Sequence, residues 1–168
     1  MRKLRAGVVG VGYLGNFHAQ KYTTCSGVEL SGVADTDPVR GQDIATKYAT
    51  TFYSDYRDLI SEIDIVSIVV PPAQHYSIAE YFLSGGVHAL VEKPLTETVA
   101  QAENLIALAS RKNLILQVGH LERFNPVILL MRKHIVRPER IEAKRMATYK
   151  ERGTEVDVVL DLMIHDID

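Results

Sequence analysis

Short apolar runs alternate with helical stretches along the first 120 residues, and this constrains the fold of the chain more than any other feature. The runs fall at residues 4–9, 28–34, 51–53, 65–70, 87–91 and 114–118. A helix is expected to start near Tyr13, and a second to run from the Asp37-Pro38 cap to about Tyr48. Others are expected from Asp55 to about Glu62, over 74–83 with a stop at Gly85-Gly86, and over 96–112. The last of these has Val99, Ala102, Leu105, Ile106 and Leu108 on its apolar side. The 65–70 run is apolar almost without interruption, the pattern of a strand buried on both faces. Strand–helix–strand order repeated in this way predicts an α/β fold. Parallel neighbours need crossover connections, and helices supply them.

The turn between the first strand and the first helix reads Gly10-Val11-Gly12-Tyr13-Leu14-Gly15, a G-x-G-x-x-G pattern. Gly10 permits a tight turn, Gly12 lets a pyrophosphate approach the backbone, and Gly15 allows close helix packing. A helix N-terminus offers N–H groups and a positive dipole end to a phosphate, so Tyr13 and Leu14 would contribute backbone amides. Asp35 ends the second strand, 20 residues beyond Gly15. A carboxylate there can accept from the ribose hydroxyls of NAD and repel the 2′-phosphate of NADP. NAD is therefore the expected cofactor, with NADP the poorer fit. Arg40 could stack on adenine or reach a phosphate, whereas Asp37 reads as a helix cap. The expected architecture is a Rossmann-type doubly wound parallel sheet over residues 1–120.

Residues 121–168 follow a different pattern. Pro126 opens an expected helix to 135, 140–147 looks strand-like, and 156–168 reads as helix. A lone strand is not stable, so this part reads as the truncated start of a second α/β domain. Lys plus Arg number 19 and Asp plus Glu 21, a net charge of −2 that gives no global attraction to nucleic acid or an anionic membrane. The single cysteine, Cys25, excludes an internal disulfide framework and a multi-Cys zinc site, and fits a cytoplasmic location. No segment has the ~18 apolar residues of a transmembrane helix. Arg2, Lys3 and Arg5 before an apolar run mimic a signal peptide, but that run is short and carries the glycine turn.

Three further motifs are Val70-Pro71-Pro72-Ala73-Gln74-His75, Glu92-Lys93-Pro94 and Asp161-Leu162-Met163-Ile164-His165-Asp166. Together with the glycine turn and Ala34-Asp35, they closely resemble the Gfo/Idh/MocA family of oxidoreductases, over essentially the whole chain. The resemblance implies two domains: a Rossmann domain that binds NAD or NADP, and an α/β domain that helps bind substrate and often mediates homo-oligomers. It also implies hydride transfer between a nicotinamide and a sugar or cyclitol carbinol carbon. Lys93 would then sit at the nicotinamide end, hydrogen-bond the reacting hydroxyl and stabilise the developing alkoxide. His165 is the candidate general base, since imidazole titrates near neutral pH. Asp161, four residues earlier on one helical face, would orient it or bind a neighbouring hydroxyl. Pro94 keeps Lys93 extended. Pro71 belongs to the cofactor-binding turn; His75 either shapes the pocket near the nicotinamide ribose or merely opens its helix. Glu92 bears on the ribose or on local turn geometry, and His18 reads as structural. Without the resemblance, Asp161 and His165 would pass for an ordinary surface pair, or for a metal pair lacking a third ligand.

Residues 120–152 hold nine Lys or Arg against four Asp or Glu. A basic region beside an active site suits an anionic substrate such as a nucleotide-diphosphate sugar, although charge runs are often plain solvated surface. The 160–168 stretch resembles family members that oxidise UDP-N-acetylglucosamine at C3. A cyclitol or free-sugar dehydrogenase and a non-catalytic nicotinamide-binding module are the alternatives.

Overall fold

A computed structural model of the chain describes residues 2–142, 144, 146, 158–159 and 163–167. The chain divides into two compact units, Met1–Val118 and Gly119–Asp168.

The first unit is a six-stranded sheet built from β1 (Leu4–Val9), β2 (Val28–Ala34), β3 (Thr51–Tyr53), β4 (Ile65–Ile68), β5 (His88–Val91) and β6 (Leu116–Val118). All neighbours pair parallel, in the order β3-β2-β1-β4-β5-β6. The crossovers carry α1 (Tyr13–Thr24), α2 (Pro38–Lys47), α3 (His75–Ser84) and α4 (Val99–Arg111). Strand periodicity sorts the core. Val8 and Val33 face one apolar cluster with Ala19 of α1 and Ala45 of α2. Their neighbours Val9 and Ala34 face another, with Ile78 and Phe82 of α3 and Leu105 and Ala109 of α4. Successive residues thus point to opposite faces, and helices cover both.

Local chemistry sets the helix starts. Asp37 accepts from the amides of Val39 (3.0 Å) and Arg40 (3.1 Å), with Pro38 in the first turn, so Asp37 is a cap. Thr98 and Gln101 form a reciprocal capping box on α4.

Two expectations are corrected here. Residues 55–62 form no α-helix but a single 3₁₀ turn, Tyr56–Leu59, which sinks Leu59 fully into the core before the chain enters β4. On α4, Val99 is 75% and Ile106 57% exposed, because the helix docks through Leu105 and Ala109.

In the second unit, a 3₁₀ turn (Leu121–Phe124) leads to α5 (Pro126–His134), capped by Asn125 accepting from the Val127 amide at 3.0 Å. Residues 140–142, 144 and 146 lie in no strand, and the other positions of the expected 140–147 strand lie outside the described residues. The expected 156–168 helix is helical where it is described, including α6 (Ile164–Ile167). Among the described residues no helix is long and apolar enough to cross a membrane.

Candidate cofactor cleft and active-site turn

The strand order reverses direction at β1. The chain leaves β1 for β2 and β3 on one side, then crosses to β4 on the other. At such a switch point the loops after neighbouring strands diverge and open a crevice at the carboxyl edge of the sheet. Here a cleft of about 390 Å³ opens there, lined by Gly10, Gly12, Asp35, Arg40, Pro71 and Gln74, among others.

The glycine turn forms the floor of the cleft. Gly10 has φ +82°, and a Cβ on it would strike the Val69 carbonyl oxygen. A Cβ on Gly15 would strike the carbonyl oxygen of Gly10, so this glycine allows α1 to close on its own turn. Gly12 differs: a Cβ there meets nothing within 4 Å. The space above Gly12 is what a pyrophosphate would need to reach the backbone. Gly12 is also the N-cap of α1 and offers no capping side chain to the first-turn amides. The side chains of Tyr13 and Leu14 are exposed, as expected of residues offering backbone N–H groups. These features fit a dinucleotide phosphate.

Asp35 is buried at the adenosine side, with 4% of its side chain exposed. One carboxylate oxygen accepts from the Val11 amide (2.8 Å) and Arg40 Nε (3.1 Å). The other accepts from the Asp37 amide (2.9 Å) and an Arg40 Nη (2.7 Å). Burial pushes this carboxyl up. The Arg40 guanidinium and the two amides outweigh that, leaving it below the usual carboxylate range. Arg40 also pairs with Asp37 at 3.2 Å. The expected ribose acceptor is therefore already saturated, by the arginine expected to serve the cofactor.

The Glu92-Lys93-Pro94 turn follows β5. Glu92 and Pro94 are buried, Lys93 is half-buried, and the Lys93-Pro94 bond is cis. One Glu92 oxygen accepts from its neighbour's amide, Lys93 N–H, at 3.3 Å, and the other lies 3.1 Å from His18 Nε2. Burial pushes the Glu92 carboxyl up, but the hydrogen bonds from His18 and the Lys93 amide, with the Lys93 charge beside them, bring it below its ordinary value. Of the two roles open to Glu92, these contacts belong to turn geometry. His18 Nδ1 lies 3.2 Å from Ser67 Oγ, which is 2.7 Å from the Tyr22 hydroxyl. Neither Ser67 nor Tyr22 stood out in the sequence, although a serine inside the apolar 65–70 run was a readable signal.

His75 is corrected. Its ring is 1% exposed, with Nδ1 2.7 Å from the Pro94 carbonyl oxygen and Nε2 2.8 Å from that of Val70. It ties the end of β4 to the Glu-Lys-Pro turn and has no ring atom left for a ligand. Pro71 is exposed in the cleft lining. His165 lies in α6 of the second unit and is partly buried; Asp161 falls outside the described residues.

The family described as "Oxidoreductase family, NAD-binding Rossmann fold" matches residues 4–120. The UDP-N-acetylglucosamine 3-dehydrogenase of Acidithiobacillus ferrooxidans is 41% identical over 169 aligned residues, covering 100% of this chain and 53% of that protein. A solved structure of that dehydrogenase superposes with a TM-score of 0.91 at 40% identity, covering 99% of this chain and 55% of that one. A scyllo-inositol dehydrogenase from Lactobacillus casei, solved with NAD(H) and scyllo-inositol, superposes with a TM-score of 0.75 at 25% identity, covering 79% of this chain and 40% of that one. The chain spans about half the length of the curated relatives it matches.

Proposed function

Because the chain belongs to the Gfo/Idh/MocA oxidoreductase family, with its NAD-binding Rossmann fold, we propose that its gene product is an NAD-dependent dehydrogenase acting on the 3-hydroxyl of a UDP-N-acetyl sugar. The observation that carries this reading is the 41% identity to a UDP-N-acetylglucosamine 3-dehydrogenase, which extends over the whole chain and past the Rossmann unit. The excess of basic residues over 120–152 agrees with a diphosphate-bearing substrate.

The amides around Gly10–Gly15 would hold the pyrophosphate, and Asp35 the adenosine ribose. When bound, the nicotinamide supplies the acceptor for the electron pair of the carbinol C–H bond. The Lys93 ammonium donates to the reacting oxygen and stabilises its negative charge as the O–H proton leaves. His165 takes that proton at a ring nitrogen, and Asp161 holds the imidazole in the tautomer able to receive it. The product is a ketone, so the reaction class that consumes it is a carbonyl addition such as transamination. Self-association through the second domain and a cytoplasmic location complete the proposal.

The test is nicotinamide reduction by the full-length gene product with NAD and UDP-N-acetylglucosamine, with a ketone trap to pull an unfavourable oxidation forward. Turnover that falls by about 10²-fold or more in Lys93→Ala and in His165→Ala is the expected result. Turnover of myo- or scyllo-inositol instead would move the assignment to a cyclitol dehydrogenase. NAD binding without turnover of any of these would favour a non-catalytic module, and full activity of either variant would remove that residue from the mechanism.

A further inference from the structure

We propose that His18 is a positioning residue that fixes the Glu92-Lys93 turn to the helix whose N-terminus faces the phosphate cleft. The proposal rests on the role given to Lys93 above. His18 sits on α1, two turns beyond Gly12, and reaches across to Glu92, 74 residues away in sequence. Glu92 is only 7% exposed, so its carboxylate must find donors inside the protein. It has His18 Nε2 at 3.1 Å and the Lys93 amide at 3.3 Å. A carboxylate only accepts, so Nε2 carries the proton.

The rest of the chain of contacts follows from that. In a neutral ring Nδ1 is then an acceptor, and Ser67 Oγ donates to it at 3.2 Å. Ser67 in turn accepts from the Tyr22 hydroxyl at 2.7 Å. Every hydrogen bond points one way, from Tyr22 through Ser67 and His18 to Glu92, and each group uses the proton it has. The Ser, His and Glu side chains have the partners of a nucleophilic relay. Ser67 is 0% exposed in the middle of β4, however, so no substrate reaches its oxygen. The network therefore acts by holding Glu92, and Glu92 holds the Lys93 amide. The cleft floor and the lysine turn arise from separate crossovers, and this bridge sets the spacing between them. Misplacing a reacting group by about 1 Å can cost roughly 10²-fold in rate, so such a bridge acts on catalysis more than on cofactor affinity.

The experiment compares the full-length wild-type gene product with His18→Leu and His18→Gln, whose amide can donate to Glu92. Imidazole nitrogen chemical shifts of wild-type His18 should report a proton on Nε2, held toward Glu92. In His18→Leu, kcat should fall about 10-fold to 100-fold while the Kd for NAD stays within about threefold. His18→Gln should recover most of the lost kcat. If His18→Leu does not fold, Ser67→Ala carries the test. It keeps the donor to Glu92 but removes the buried hydroxyl that braces the ring at Nδ1, so kcat should fall with NAD affinity unchanged. An Nε2 without a proton, a loss of NAD affinity matching the loss of kcat, or a His18→Gln no better than His18→Leu would each overturn the proposal. A wild type that turns over no substrate would count against the proposed reaction, whereas a His18 with no proton on Nε2 would count against the bridge, so the two failures are distinguishable.

Discussion

Replacing Arg40 with Leu should sharpen the preference of this chain for NAD over NADP, although the sequence offers Arg40 as a residue serving the cofactor. Asp35 accepts four hydrogen bonds, and two of them come from Arg40 at 2.7 and 3.1 Å. Two ribose hydroxyls need acceptor positions that Arg40 now holds, so NAD must displace it. Charge-assisted hydrogen bonds are worth roughly 1.5–3 kcal/mol each. Arg40 is 44% exposed, and solvent screening reduces its displacement to a cost of about 1 kcal/mol. Removing that cost should tighten NAD about fivefold. NADP should respond in the opposite sense. Its 2′-phosphate would meet the Asp35 anion with no guanidinium beside it, a repulsion of about 1–2 kcal/mol at roughly 4 Å in an open cleft with an effective dielectric of about 40 to 80. NADP should thus weaken about tenfold, and the ratio of the two dissociation constants should move about fiftyfold. Calorimetric titration of both dinucleotides into wild type and variant measures this. A ratio unchanged within about twofold, or a variant that gains NADP affinity, would refute the reasoning.

Other expected outcomes follow from the same geometry. Gly12→Ala should leave Tm within about 2 °C of wild type, since the added methyl meets nothing, yet weaken NAD about tenfold or more by filling the pyrophosphate's approach. Gly15→Ala should instead lower Tm and NAD affinity together, because its Cβ would strike the Gly10 carbonyl; calorimetric scans with NAD titrations separate the two cases. Asp64 accepts from the Arg5 guanidinium and the Arg5 amide, with Arg2 beside it, and these hold its carboxyl down at about 2. A pKa depressed by folding gives stability that is full above the unfolded value near 4 and is lost as pH falls toward 2. Asp64→Asn should therefore cost about 1 kcal/mol at neutral pH after solvent screening, and denaturant melts should show most of that difference lost by about pH 2.

The sheet was legible because its signals are local. Alternating valines place Val8 and Val9 on opposite faces, and Asp37-Pro38 caps a helix through atoms two and three residues away. The 3₁₀ turn at Tyr56–Leu59 was not legible, since a single turn is decided by where Leu59 must sink rather than by propensity. Nor was the face of α4, where Val99 and Ile106 are apolar yet turned outward by a docking geometry that other elements impose. The site residues divide in the same way. Gly10, Gly12 and Gly15 act through backbone that their own turn defines. The anchoring contacts of His75 were not legible, because the two carbonyls its ring meets, at Val70 and Pro94, come from different crossovers and no spacing rule connects them.

The same division bears on how the site would evolve and fail. The phosphate cradle is made of backbone atoms, and the changes that destroy it are those that add a Cβ or block its open space. The lysine turn is held differently. His75 ties Pro94 to the end of β4, and His18 ties Glu92 to α1, so two imidazoles on opposite sides of the turn bind it to separate helices. His75 is 1% exposed, and the Ser67 that meets His18 is fully buried. Lys93 lies between Glu92 and Pro94, with its amide on one anchored group and its carbonyl leading into the other. A residue held from both sides in this way can carry a charge to one fixed point. Preorganised stabilisation of a developing alkoxide needs that, since a charge free to wander would have to be reorganised at each turnover.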